Sequence, residues 1–370
     1  MAGMRIRSAC RNKAAMFTTL TLMSVYIVYL AFWEPLALQS SRKSFLRSNA
    51  IMSHPSRAPH RQSPETPSLS AIKIAACTCV RNDVPYLLEW IEFHRLQGFS
   101  KFFIFDDRSD DNVTLLQNFY NGKFPGQSVV EVFPHQSPGY QPPAYKKCQD
   151  LAVAGKFDWV AVLDSDEFWY SPSFGTVSQF VEARCDATVG AVEVTQMRFG
   201  TSGQLHRFSY SITSHSNRVV LSNPNGIQLI TRTHIRRGPY SFMAEPAELI
   251  SNSITNCSKP AKDGWLMCYT PILDRKSMWR PDAPTGDITP HFPNSIHAKY
   301  TTLRPSVNDL RGNHYYYRSV EDAIKKSIDW KKPDPLEGVF SVGEYWNTME
   351  DVGITRFVGD LEIAVGNLLK

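Results

Sequence analysis

A chain of 370 residues with 42% hydrophobic and 20% charged residues has an ordinary globular mixture, which excludes a wholly disordered or collagen-like protein. The formal net charge is +5, but residues 1–70 hold nine Lys/Arg against two Asp/Glu, leaving 31 basic and 33 acidic groups beyond them. The positive charge therefore lies in the tail and not on the folded part, which argues against a nucleic-acid binder.

The tail has its own organisation. Arg5, Arg7, Arg11 and Lys13 precede a run from Ala14 to Trp33, AAMFTTLTLMSVYIVYLAFW, that carries no charge. As a helix it reaches roughly 30 Å, the thickness of a hydrocarbon core. It is longer than the apolar region of a cleaved signal peptide and ends in bulky Phe32 and Trp33. The expectation is an uncleaved signal anchor over 14–33, with a cytosolic tail at 1–13. Residues 34–70, with Pro55, Pro59, Pro64 and Pro67 among Ser, Arg and His, read as a flexible stem. Residues 71–370 then form a lumenal domain. This is the layout of a single-pass type II membrane protein of the Golgi or ER.

From Ala71 the pattern changes to alternating strands and helices. Ile72–Cys79 (IKIAACTC) fits a buried strand. Asp83 can cap a helix with Pro85 in its first turn, and Leu87, Leu88, Ile91 and Leu96 recur at helical spacing up to Gly98. A strand Lys101–Phe105, a helix through Leu115, Leu116 and Phe119, and a strand Val129–Phe133 follow. Then come a helix Pro143–Gly155 and a strand Trp159–Leu163. This alternation predicts an α/β fold with a mainly parallel sheet covered on both faces. Ligands of such sheets sit beyond the carboxyl ends of the strands, which directs attention to the residues after Cys79, Phe105 and Leu163.

Six cysteines lie beyond the apolar run: Cys77, Cys79, Cys148, Cys185, Cys257 and Cys268. Cys257 and Cys268 are close in a polar stretch and are the favoured bridge, whereas Cys77 and Cys79 read as small buried residues on a strand. No Cys/His zinc spacing occurs. Asn112 and Asn256 begin N-glycosylation sequons, usable only in a lumenal domain.

The fourth strand runs into Asp164-Ser165-Asp166-Glu167. In an extended segment residues i and i+2 face one way, so Asp164 and Asp166 can reach a common ion, and paired carboxylates suit Mg²⁺ or Mn²⁺. The alternative is a solvated acidic turn. After the second strand, Asp106 is placed to accept a hydrogen bond from a nucleobase, while Asp110, Asp111 and Asn112 favour a helix start.

Five ordered blocks, CVRNDVPYLLEWIEFHRLQGFSKFFIFDDRSDDN, WVAVLDSDEF, MRFGTSG, RKSMWRP and RGNHYYYRSVEDA, resemble those of glycosyltransferase family 92 and its family-2-like relatives. The resemblance spans roughly residues 72–330, apart from an unmatched stretch between Ser209 and Thr270. It implies a GT-A (Rossmann-like) nucleotide-sugar-binding domain with a divalent ion, Mn²⁺ or Mg²⁺. It also implies inverting transfer of a sugar, galactose in several members, from a UDP-sugar to a glycan or glycoconjugate acceptor. On this resemblance Val80, Arg81 and Asn82 contact the nucleotide, Asp106 the uracil or ribose, and Asp164 and Asp166 the metal and diphosphate. His314 completes the metal site, with His291 and His297 as competitors. Lys276, Arg280 and Arg318 are candidates for phosphate oxygens, and Gly200 for close approach to the donor sugar. The acceptor-activating base is left open between Glu167, Asp274 and Glu245. The rival reading, a catalytically silent lectin-like or scaffold domain, would not be expected to keep an intact acidic pair.

Overall fold

Residues 72–215, 218–222, 225–237, 275–329 and 349–370 are described by the computed structural model, all of them within the unit Ser68–Lys370. The expected tail, anchor and stem, together with Glu245, Asn256, Cys257, Cys268 and Asp274, lie outside the described residues. Among the described residues no helix is long and apolar enough to cross a membrane.

The apolar runs become strands and the spaced leucines become helices. In chain order these are β1 (Ile74–Val80), α1 (Val84–Leu96), β2 (Phe99–Asp106), α2 (Leu115–Lys123), β3 (Val130–Pro134), α3 (Pro142–Ala154) and β4 (Trp159–Val162). They continue with β5 (Glu167–Tyr170), α4 (Val177–Arg184), β6 (Val189–Arg198), β7 (Ser211–His215), β8 (Arg218–Ser222), α5 (Ile230–Thr233) and β9 (Arg236–Arg237). The last described elements are β10 (Arg275–Trp279), β11 (Thr301–Leu303), β12 (Arg311–His314), α6 (Val320–Asp329), β13 (Met349–Glu350) and α7 (Val358–Leu369).

Among the described residues the main sheet has nine strands in the order β3-β2-β1-β4-β10-β6-β12-β5, with β11 also on β6. β1, β2, β3 and β4 are mutually parallel, and β11 and β12 run parallel to β6. β10 lies antiparallel between β4 and β6, and β5 antiparallel on β12, so the sheet is mixed but mostly parallel. The chain leaves β1 toward β2 and β3 on one side and returns to β4 on the other. A crevice opens at such a reversal of strand order, beyond the carboxyl ends of the two strands.

Burial on both faces explains why β1 reads as an unbroken apolar run. Ile74, Ala76 and Val80 enter the core shared with α1, α2 and α4, while Ala75 and Cys77 face α3. The second face corrects the expectation for Cys77. It is bonded to Cys148 of α3, so it ties helix to strand instead of merely filling space. A second correction concerns helix starts. Asp83 makes no cap bond; the Val84 N–H of α1 donates instead to Asp111 Oδ2 at 2.9 Å, across from the next loop.

Two buried groups give the fold a pH signature. His94 on α1 donates from Nδ1 to the Trp90 carbonyl at 2.8 Å, and its Nε2 accepts the Trp169 N–H of β5 at 3.3 Å. Protonation would set two N–H groups face to face, and burial already pushes the imidazole down to about 3. The unfolded chain takes up this proton as pH falls through about 6.5, and the folded chain does not until about 3. His94 therefore stabilises the fold fully above pH 6.5, and that contribution falls by about 1.4 kcal/mol per pH unit on acidification. Glu89 acts in the opposite sense. Burial pushes its carboxyl up to about 7, against donated bonds from Thr231 and Ile230, so its contribution is lost as pH rises through that value. Comparison with His94→Gln, in urea titrations from pH 7 to pH 5, isolates the histidine. The variant is expected to lose stability less steeply on acidification by that slope; parallel curves would refute the assignment.

Candidate active site

Strand ends converge on one cleft of about 640 Å³ at the β1/β4 reversal. Cys79, Arg81 and Asp83 line it from the end of β1. The turn after β4 contributes Asp164, Ser165 and Asp166, the loop after β3 contributes Gly139, Tyr140 and Gln141, and α3 contributes its first residue, Pro142. His314 and Tyr316 come from the end of β12, followed by Arg318 and then by Asp322, Lys325 and Lys326 on α6, with Arg207 and Pro290 completing the wall.

The two aspartates meet there by a different route from the one expected. The chain is not extended through 164–166. The Glu167 N–H donates to the Asp164 carbonyl at 3.0 Å, closing a tight turn before β5 pairs with β12. The turn is pinned from both sides. The Asp164 N–H donates to Glu167 Oε2 at 3.0 Å, and Ser165 Oγ donates to Asp83 Oδ2 at 2.6 Å. Trp90 Nε1 donates to the Glu167 carbonyl at 3.0 Å, anchoring the turn to α1.

Each carboxylate is half satisfied. Asp164 Oδ2 accepts from Lys276 Nζ at 2.8 Å and Asp166 Oδ2 from Lys326 Nζ at 2.9 Å, while Oδ1 of both is buried without a hydrogen-bond partner. His314 Nε2 stands 3.4 Å from Asp166 Oδ1. Burial pushes the Asp166 carboxyl up, but the Lys326 ammonium and then His314 outweigh it and hold the group well below the usual carboxylate range. Glu167 behaves oppositely. It is 1% exposed, and burial, reinforced by the charges of Asp164 and Asp166, raises it well above its ordinary value despite Lys276 at 3.7 Å. Burial opposes the charge of Lys276, yet Asp164, which accepts its hydrogen bond, keeps it protonated.

Among the described residues no three His, Cys, Asp or Glu side chains stand together at metal-ligand spacing. The donor set nevertheless suits a divalent cation: two buried carboxylate oxygens lack partners, and an imidazole nitrogen adjoins one of them. Thiolate chemistry is disfavoured, because burial, and after it Asp164, pushes the Cys79 thiol up to about 12.

The other sequence candidates divide. Arg81 lines the cleft with a buried Nε that makes no hydrogen bond, which suits an anionic ligand. Val80 faces the core. Asn82, at φ 59°, uses its Oδ1 to accept the Asp110 N–H at 2.7 Å and so shapes the loop. Asp106 accepts the Ser109 N–H at 2.9 Å and is not among the cleft-lining residues; its neighbour Asp107 accepts the Gly139 N–H at 2.9 Å and so fixes the loop bearing Tyr140. Gly200 is hydrogen-bonded to Arg236 of β9, also away from the cleft lining. Arg280 donates to carbonyls of Val189 and Asp186 and packs on Trp159, a structural position. Among the histidines, His314 lines the cleft, whereas His291 bonds the Arg275 carbonyl at 3.0 Å and His297 is not in the lining. Arg318 both lines the cleft and binds Asp83 at 2.5 Å while stacking 3.8 Å over Tyr86.

Several lining residues were not singled out from the sequence: Tyr140, Arg207, Tyr316, Asp322, Lys325 and Lys326. For α6 a signal was present. Asp322, Lys325 and Lys326 are spaced three and four apart, as residues sharing one helix face are, just after the block that carries His314. Tyr140 had none, since it stands in a Pro/Gly/Gln loop without periodicity.

Taken together, the molecule is an α/β protein whose cleft sets paired acids against a rim of Arg and Lys, as suits a cation and a polyanion held side by side. More specifically, the chain belongs to glycosyltransferase family 92, whose family model matches residues 73–333. A family 92 protein of Ricinus communis is 24% identical over 196 residues, covering 49% of this chain and 35% of that one. One of Arabidopsis thaliana is 29% identical over 106 residues, covering 27% of this chain and 17% of that one. The chain thus spans about a third or less of the length of these curated relatives. Among solved structures, similarity extends to a mannosyltransferase of Pyrobaculum calidifontis in complex with GDP-Man and Mn²⁺. There the TM-score is 0.29 and identity 16%, covering 48% of this chain and 47% of that one. The S. aureus TarS fragment 1–349 gives a TM-score of 0.34 and 10% identity, covering 80% of this chain and 71% of that one.

Proposed function

We propose that this protein is a metal-dependent, inverting GT-A glycosyltransferase that moves a sugar, galactose by preference, from a UDP-sugar to a glycan or glycoconjugate acceptor. The observation that carries this reading is the pair of buried Oδ1 atoms of Asp164 and Asp166, neither taken up by a hydrogen bond and both held by one pinned turn at the strand-order reversal. Asp164, Asp166 and His314 would hold Mn²⁺ or Mg²⁺, which when bound supplies Lewis-acid stabilisation of the departing diphosphate.

The chain's own cations do the rest of that work. Arg81, Arg318, Lys325 and Lys326 line the same cleft and offset the negative charge that builds on the leaving UDP. Tyr140, 62% exposed at the cleft, offers a flat face for a base or sugar ring. Inverting transfer calls for a general base to take the acceptor proton, a role suited to a carboxylate. Glu167 is placed to brace the turn and is not among the lining residues; Asp274 remains a candidate outside the described residues.

The same reading puts the domain in the lumen of the Golgi or ER, tethered by residues 14–33. The Cys77–Cys148 bridge supports an oxidising compartment, and Asn112 and Thr114 are both exposed, as an N-glycosylation acceptor requires.

The test is UDP release from UDP-galactose, UDP-glucose, UDP-N-acetylglucosamine and UDP-xylose, with and without Mn²⁺. Mn²⁺-dependent release that is greatest with UDP-galactose is expected. Binding of the nucleotide sugars without turnover, across a panel of acceptor glycans, would favour the silent lectin-like domain instead.

A further inference from the structure

Asp164 and Asp166 are each already paired with a lysine, and the two lysines are not alike. Lys276 is built in: its side chain is 3% exposed, it rises from β10 in mid-sheet, and it lies between Asp164 and Glu167. Lys326 is not. Its side chain is 26% exposed, it reaches Asp166 from α6, and its ammonium lies 3.8 Å from the centre of the Tyr316 ring. It also lines the cleft itself, beside Arg318 and Lys325. The carboxylate it neutralises is 4% exposed and keeps one oxygen free of hydrogen bonds, 3.4 Å from His314 Nε2. A buried carboxylate needs a compensating charge at all times, and two cations crowded on one carboxylate repel.

We propose that Lys326 is an exchangeable internal counter-ion: it neutralises Asp166 until a divalent cation takes that carboxylate, and then moves to the diphosphate of the nucleotide. This rests on the nucleotide-sugar reading above. The consequence is ordered binding. Metal alone must compete with Lys326 and binds weakly, whereas metal and nucleotide together gain from the released ammonium. The cleft thereby guards against holding a bare metal ion, and metal and nucleotide promote each other's binding.

Isothermal titration of the full chain with Mn²⁺ alone, and with UDP at saturating Mn²⁺, separates this from a merely structural ion pair. Lys326→Met keeps an unbranched side chain and removes the charge. It is expected to bind Mn²⁺ alone at least about tenfold more tightly and UDP at least about tenfold more weakly than the wild type. Lys326→Arg should restore both constants toward wild type. Lys326→Gln should shift both in the same directions as Met and serves in its place if the Met variant melts early. Loss of both affinities together, or no change in either, overturns the counter-ion role while leaving the nucleotide-sugar reading intact. A wild-type protein that binds neither Mn²⁺ nor UDP overturns that reading itself, and the proposal with it.

Discussion

Asp166→Asn is expected to lower sugar transfer by about three orders of magnitude or more while leaving the protein folded. The amide keeps the shape of the carboxylate but removes the charge that Lys326, His314 and Arg318 surround. A neutral amide is a poor ligand for a divalent cation, so metal and leaving-group stabilisation are lost together. Lys326 is partly exposed and can turn to water, so no ammonium is stranded, and thermal stability should change little. Asp164→Asn differs in a way that serves as a control. Its lysine, Lys276, is buried and would be left with only Glu167, itself drawn toward the protonated form by burial and neighbouring acids. That variant should therefore lose stability as well as activity. Initial rates of UDP release, read beside melting curves, check both. Activity within tenfold of wild type in Asp166→Asn would remove the electrostatic basis of the proposed mechanism.

The parts of this site that could be read from the sequence are those written into buried parallel strands. Such strands are apolar on both faces, so β1, β2 and β4 stand out as continuous runs, and the strand-end rule then points to the stretch after Cys79 and to Asp164–Asp166 without any contact information, while Arg81 itself is picked out by the family resemblance. What escaped depends on partners distant in the chain. Asp83 looks like a helix cap because Pro85 follows two residues later, but Arg318, 235 residues away, takes its carboxylate. Asp106, the last residue of β2, is lost for a local reason instead: a turn through Ser109 claims its side chain. β10 carries Arg275 and Lys276 in a five-residue strand and so lacks an apolar run. Those charges are satisfied by Glu193 of β6 and by Asp164, pairings that no local pattern encodes. The acidic pair was found through an extended geometry that the chain does not adopt. The turn brings both groups to the cleft because Glu167 bonds back to Asp164, a contact the spacing of carboxylates cannot reveal.

Cys148→Ser should cost about 4 kcal/mol of stability on the chain-entropy account of a bridge closing 71 residues. It should also lower the melting temperature by on the order of 10 °C. Both cysteines are fully buried, Cys77 in mid-strand and Cys148 midway along α3, so a serine there also puts a hydroxyl into the apolar cluster that holds Ala75, Val160 and Val162. The loss should reach the cleft. α3 begins at Pro142, directly after the loop that presents Gly139, Tyr140 and Gln141, so a helix less firmly held to β1 lets that wall drift. KM for the donor is therefore expected to rise more than kcat falls, the pattern of lost ground-state binding. Reductant supplies the matching control. Wild type under reducing conditions should melt near the variant, and the variant should be indifferent to reductant. Because such a bridge persists only in an oxidising compartment, the same melts bear on location. A wild-type protein as stable with reductant as without would mean that the covalent tie contributes nothing, and would take with it the structural support for a lumenal domain.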